Sequence, residues 1–135
     1  MTRIIFISHN KLAAGMKAAV EMIAGQQDNL EAYGLMPGQN PDEIISHLRT
    51  TITPDEHVLI LADLVGGSMC NAAMALLNLP NVKLLGGMNL ALALQVVLTP
   101  PKTDDEIDHM LDQAKTNLEH VVLKKVTNND GDAFF

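Results

Sequence analysis

The first chemical question in this sequence is a histidine at the end of an apolar run. Ile4 to Ile7 are consecutive apolar residues, and Ser8, His9 and Asn10 follow before an amphipathic segment begins. Imidazole works near neutral pH, so His9 is a candidate nucleophile or proton shuttle. Asp63 closes a second apolar run, "HVLILA". Its carboxylate could accept a hydrogen bond from one ring nitrogen of His9, fixing the tautomer and leaving the other nitrogen free to attack. Gly66 and Gly67 would let backbone N–H groups approach a phosphoryl group closely. Ser68 could cap the next helix or offer its hydroxyl. A third loop, Gly86-Gly87-Met88-Asn89, has the same character. Asn10 and Asn89 suit helix caps.

Other groups are weaker candidates. His47, His57, His109 and His120 show no metal-ligand spacing such as H-E-x-x-H and read as structural or exposed. Cys70 lies where a thiolate could be favoured but reads better as a small buried residue. The eight methionines fall mostly at helical core spacings. A P-loop, a G-x-G-x-x-G after the first strand and a G-x-S-x-G elbow are all missing from the sequence, which argues against an enzyme with its own nucleotide site. No cofactor and no metal are expected.

The elements that must position these residues follow from periodicity. Strands are expected at Ile4–Ile7, Leu30–Leu35, His57–Ala62, Val82–Leu85 and Val121–Val126. Leu12, Met16, Val20 and Ile23 recur at helical spacing, and Gly25 stops that helix. Asp42–Arg49 reads as a short helix with Pro41 near its first position. Ala72–Leu77 and Leu90–Leu98 continue helices. Ile107, Met110, Leu111, Ala114 and Leu118 mark a further amphipathic helix after Asp104. Strand and helix alternate, which indicates a doubly wound α/β sheet. Its ligands belong beyond the carboxyl ends of the strands, where His9, Asp63 and Gly86 all fall.

Bulk composition bounds the rest. The 135 residues suffice for one domain, and a chain of that size buries roughly 68 % of the surface it exposes when unfolded. With 47 % hydrophobic and 3 % aromatic residues, the core must be aliphatic. A net charge of −7 argues against nucleic-acid binding, which needs a basic face. The single cysteine leaves no intrachain disulfide. No secretory signal and no membrane span are visible, so a soluble cytoplasmic protein is expected.

Three segments, "IIFISHNKLAAGMKAAVEMIAG", "ILADLVGGSMCNAA" and "GGMNLALAL", together resemble the IIA domain of the mannose-type sugar phosphotransferase system. The similarity in order and spacing runs from about Arg3 to Val126. The resemblance implies that His9 is phosphorylated on Nε2 by the phosphocarrier protein HPr and passes the group to a histidine of a IIB component. Sugar then receives it during entry through membrane IIC and IID components, with which the IIA protein associates peripherally. Asp63 aligns with the aspartate that orients the imidazole, and Ser8, Asn10, Gly66, Gly67 and Ser68 with residues around the site. The family fold is a mostly parallel, doubly wound sheet flanked by helices, with a C-terminal antiparallel edge strand exchanged in a homodimer. Here that strand would be Val121–Val126. Residues 1–126 would form the domain and 127–135 a flexible tail, with IIB on a separate chain. Asn10, Met69 and Ala91 stand where the family usually has Gly, Pro and Pro. Two other readings share this scaffold: the phosphoryl-transfer subunit of a dihydroxyacetone kinase, and a regulatory homologue that no longer relays phosphate.

Overall fold

The computed structural model describes residues 2–123. In chain order they form β1 (Thr2–His9), α1 (Leu12–Ala24), β2 (Leu30–Leu35), α2 (Pro41–Thr51), β3 (His57–Ala62), α3 (Ser68–Ala73), β4 (Val82–Gly86), α4 (Leu90–Leu98) and α5 (Asp104–Lys115). A 3₁₀ turn, Met74–Asn78, prolongs α3. The four strands make one parallel sheet in the order β2-β1-β3-β4. The chain thus winds outward from β1 in one direction and from β3 in the other, and the two windings part between those strands. That is the switch point where doubly wound folds open a crevice.

Alternation along β1 splits the core into two halves, because successive side chains leave a strand on opposite faces. Ile4 and Phe6 pack with Leu59, Leu61, Ala93 and Val96 beneath α1, α4 and α5. Ile5 and Ile7 pack with Ile45, Leu48, Ile60 and Met69 beneath α2 and α3. Strands covered on both faces read as unbroken apolar runs. β1 is longer than its apolar run. Thr2 and His9 join it because the ladders extend to Thr2↔His57 on one side and His9↔Leu35 on the other.

Helix starts follow local chemistry. Asn40 Oδ1 accepts the Asp42 N–H ahead of Pro41, and Asn89 Oδ1 accepts the Leu92 N–H at 2.8 Å. Thr103 Oγ1 accepts the Glu106 N–H at the start of α5.

Two helices differ from the periodic reading. In α1 the core-facing stripe is the buried Ala13 and Val20 with the half-buried Met16, while Leu12 and Ile23 are exposed. The small Ala13 side chain faces the core in place of Leu12. In α5 the helix ends at Lys115 and Leu118 is exposed beyond it. Successive i→i+3 bonds, Thr116 N–H to Gln113 and Asn117 N–H to Ala114, tighten and close the last turn. Helix α3 begins at Ser68, ahead of the expected start at Ala72. Of the expected strand Val121–Val126, residues 121–123 carry no regular structure and are exposed, and the remainder lies outside the described residues, as does 127–135. No helix among the described residues is long and apolar enough to cross a membrane.

At the opposite end of the sheet from His9, an ion-pair network ties three elements together. Arg3 on β1 donates to both carboxylate oxygens of Glu31 on β2, at 2.5 and 2.9 Å. It also reaches Thr51 Oγ1 at the end of α2 and Glu56 before β3. Tyr33 Oη donates to Glu31 Oε1. The hydrogen bond from Arg3, reinforced by that from Tyr33, holds the Glu31 carboxyl below its usual 4.5 against the opposing effect of burial. A depressed carboxyl pKa stabilises the fold above the unfolded-state value, and this contribution is lost as pH falls through the lower folded-state value. Glu31→Gln should therefore lower stability at neutral pH by about 1 kcal/mol, a modest figure because the pair is partly exposed. Thermal melts at neutral pH and near pH 3 check this. The gap between wild type and variant should narrow in acid.

Candidate functional site

His9 is the last residue of β1 and Asp63 the first residue after β3, on adjacent strands at the switch point. The β1–β3 ladder carries one bond further, from Asp63 N–H to the Ile7 carbonyl, so the carboxylate leaves the sheet beside the histidine. One oxygen, Asp63 Oδ2, then receives two hydrogen bonds from the same residue. The His9 main-chain N–H donates at 2.9 Å, and ring Nδ1 lies 2.8 Å away. A carboxylate only accepts, so Nδ1 carries a proton and, in the neutral ring, Nε2 keeps its lone pair. The Asp63 side chain is 8 % exposed and that of His9 49 %. The orienting group is thus hidden and the ring it orients is open to solvent. The other carboxylate oxygen, Asp63 Oδ1, is buried with no hydrogen-bond partner among the described residues.

The loop after Asp63 wraps the ring. Gly66 turns with φ +82°, in the region that favours glycine. Gly67 lies against the imidazole: a Cβ there would stand 3.1 Å from His9 Cε1. Ser68, first residue of α3, places Oγ 3.2 Å from His9 Nε2. It does not cap the helix. Gly67 holds the cap position with no side-chain bond. Asn71, one turn on, donates from Nδ2 to the Gly66 carbonyl and pins the loop to α3.

One expected lining residue is buried away from the ring, and another closes a turn beside it. Ser8 is fully buried, and its Oγ accepts the Ala13 N–H at 2.7 Å, satisfying a free donor in the first turn of α1. It anchors the helix and does not line the site. Asn10 adopts φ +52° and is the one non-glycine residue with positive φ among those described. Its N–H donates to the Leu35 carbonyl and its Oδ1 accepts the Lys11 N–H, so it closes a turn and leaves the α1 cap position to Lys11. Of the common residue types, asparagine best tolerates this conformation after glycine. Met69 is buried in the core and Cys70 is nearly so. His57 Nε2 meets the Pro101 carbonyl, far from His9 in the sheet. No cluster of three metal-ligating side chains occurs among the described residues. Sequence reasoning passed over Gly34 on β2, where a Cβ would overlap the carbonyl oxygen of Asn10. A glycine inside a strand segment was the available signal.

A hidden carboxylate, an oriented imidazole with one free nitrogen, and a hydroxyl beside that nitrogen make a nucleophile for a small electrophilic group. Comparison with known proteins bears on which one. The family model described as "PTS system fructose IIA component" (EIIA-man) matches residues 3–115. The chain is 35 % identical over 100 residues to the sorbose-specific EIIA component of the phosphotransferase system from Klebsiella pneumoniae, covering 72 % of this chain and 73 % of that protein. A crystal structure of the phosphotransferase-system component EIIA from Streptococcus agalactiae superposes with a TM-score of 0.80 at 25 % identity, covering 89 % of this chain and 97 % of that one. The mannose/sorbose-specific IIA subunit from Enterococcus faecalis shares the fold with a TM-score of 0.82 at 24 % identity, covering 93 % and 98 %.

The geometry makes the tautomer of His9 testable. In the neutral ring, ¹⁵N NMR should show the proton on Nδ1 and an unprotonated Nε2. Asp63→Ala should shift the balance toward the Nε2-protonated form.

Proposed function

The chain belongs to the EIIA-man family of phosphotransferase-system IIA components, and from that premise we propose that His9 is its phosphoryl carrier. The observation that carries this is the pairing of His9 Nδ1 with Asp63 Oδ2 at 2.8 Å, which leaves Nε2 as the reacting atom. The Nε2 lone pair attacks the phosphorus of phospho-HPr. A new N–P bond forms as the bond to the donor histidine breaks, and that imidazole leaves with its electron pair. The phosphorylated ring keeps its Nδ1 proton and gains positive charge, which the Asp63 carboxylate offsets. Ser68 Oγ, 3.2 Å from Nε2, is placed to donate to the phosphoryl oxygens. The reverse sequence hands the group to a histidine of the IIB component. No metal or cofactor enters these steps.

A carrier must present its histidine to two proteins in turn, so the site must stay shallow. The half-exposed ring meets that need. Leu12, Leu64 and Val65, on the segments that follow His9 and Asp63, are 50 %, 58 % and 71 % exposed and offer apolar surface for transient protein contacts. We infer a cytoplasmic protein in peripheral contact with the IIC/IID membrane complex, acting as a homodimer.

Intact-mass analysis after incubation with enzyme I, HPr and phosphoenolpyruvate tests the carrier role. One acid-labile phosphoryl adduct is expected on wild type and none on His9→Ala. Asp63→Ala should take up phosphate about 100-fold more slowly, the scale of a loosened reacting geometry. An adduct on His9→Ala would overturn the assignment. Val65→Asp should raise the KM for phospho-HPr with kcat little changed, as measured by initial rates of uptake.

A further inference from the structure

We propose that Gly34, on strand β2, is a positioning residue for His9, and that it acts through the turn at Asn10. The inference rests on the carrier role of His9. In the β1–β2 ladder Ser8 lies opposite Gly34 and His9 opposite Leu35. Just past the ladder the chain turns sharply at Asn10, whose N–H reaches back to the Leu35 carbonyl at 2.8 Å. The carbonyl of Asn10 then lies directly over Gly34. A Cβ on residue 34 would overlap that oxygen, come within 3.0 Å of the carbonyl carbon and stand 3.9 Å from the Lys11 nitrogen. These are backbone atoms, which cannot swing aside as a side chain would. The turn is also held from the far side, because Ser8 Oγ accepts the Ala13 N–H at the start of α1.

The turn is therefore clamped between the floor of β2 and the first turn of α1, and Asn10 takes a left-handed conformation to fit. His9 is the residue immediately before it. Asp63 follows β3, which pairs with β1 and β4 and makes no ladder with β2. A side chain at 34 would lift the turn and move His9 relative to a carboxylate that stays in place. The two bonds to Asp63 Oδ2, at 2.9 and 2.8 Å, have no slack for such a shift. Gly34 touches no reacting atom, and its effect passes through Asn10 to His9.

A double-mutant cycle in phosphoryl uptake from phospho-HPr tests this, with wild type, Gly34→Ala, Asn10→Gly and the double variant. Gly34→Ala should lower kcat by roughly 10- to 100-fold with KM little changed. Its His9 ring should show a weakened Nδ1–H signature by ¹⁵N NMR. The loss caused by Gly34→Ala should be several-fold smaller in the Asn10→Gly background, where residue 10 can relax to other backbone angles. A wild-type kcat for Gly34→Ala, or an equal loss in both backgrounds, overturns the proposal. If Gly34→Ala does not fold, Asn10→Ala replaces it. That variant should lose kcat while remaining folded, and an undiminished kcat would overturn the coupling. If wild-type protein takes up no phosphate, the carrier role fails by itself. The ¹⁵N signature of His9 in Gly34→Ala then decides the positioning claim: an unaltered ring overturns it and a shifted one supports it.

Discussion

Asp63 Oδ2 is the one atom on which the geometry around His9 depends. It holds both the backbone and the ring of His9, and the two donors come from a single residue at the end of a neighbouring strand. Fixing the main chain as well as the imidazole removes the freedom that a side-chain contact alone would leave. Burial of the carboxylate strengthens both bonds, since water competes poorly for a group that is 8 % exposed. Oδ1 has no hydrogen-bond partner among the described residues, so their hydrogen bonds to the carboxylate all fall on one oxygen.

That contact can exist because the sheet is rigid. β1 and β3 are hydrogen-bonded along six residue pairs, from Thr2↔His57 to Ile7↔Ala62. Side chains from both strands are buried on each face. Sliding one strand past the other would turn its buried side chains to the wrong faces. Register therefore fixes His9 against Asp63 as firmly as it fixes Ile5 against Ile60. The Arg3 network at the other end of the strands adds a second clamp among β1, β2, the end of α2 and the segment before β3. The site sits at one end of a sheet whose other end is tied down. His9 and the exposed residues Leu64, Val65, Gly66 and Ser68 lie beyond the packed region.

Where the sequence misled, it did so through contacts distant in the chain. Ser8 stands beside His9 and looked like a site residue, yet its hydroxyl belongs to α1. Ser68 could cap α3 or offer its hydroxyl, and its hydroxyl faces the imidazole. Both are serines close to a helix start. Which partner wins depends on how β1, β3 and the helices approach one another in space. Leu12 fits the helical period as well as Ala13 does, and only the separation of α1 from the sheet selects the smaller residue. Leu118 continues the period of α5 but falls beyond the last turn.

Local order determined much of this protein. Unbroken apolar runs such as "HVLILA" mark strands covered on both faces, and their alternation with amphipathic segments and caps at Asn40, Asn89 and Thr103 sets the order of elements. Strand ends carrying His9 and Asp63 already indicated where the chemistry would lie, because parallel α/β sheets open at that edge. The relations between ends were decided by the tertiary structure alone. It brings Asp63 to Nδ1 of His9 and Ser68 to Nε2, turns Ser8 away, and lays the Asn10 carbonyl over Gly34. Periodicity records which face of an element is buried, a property of neighbours in the chain. Distances across the crevice depend on strand register and on the closeness of packed layers, which emerge only when the whole core forms.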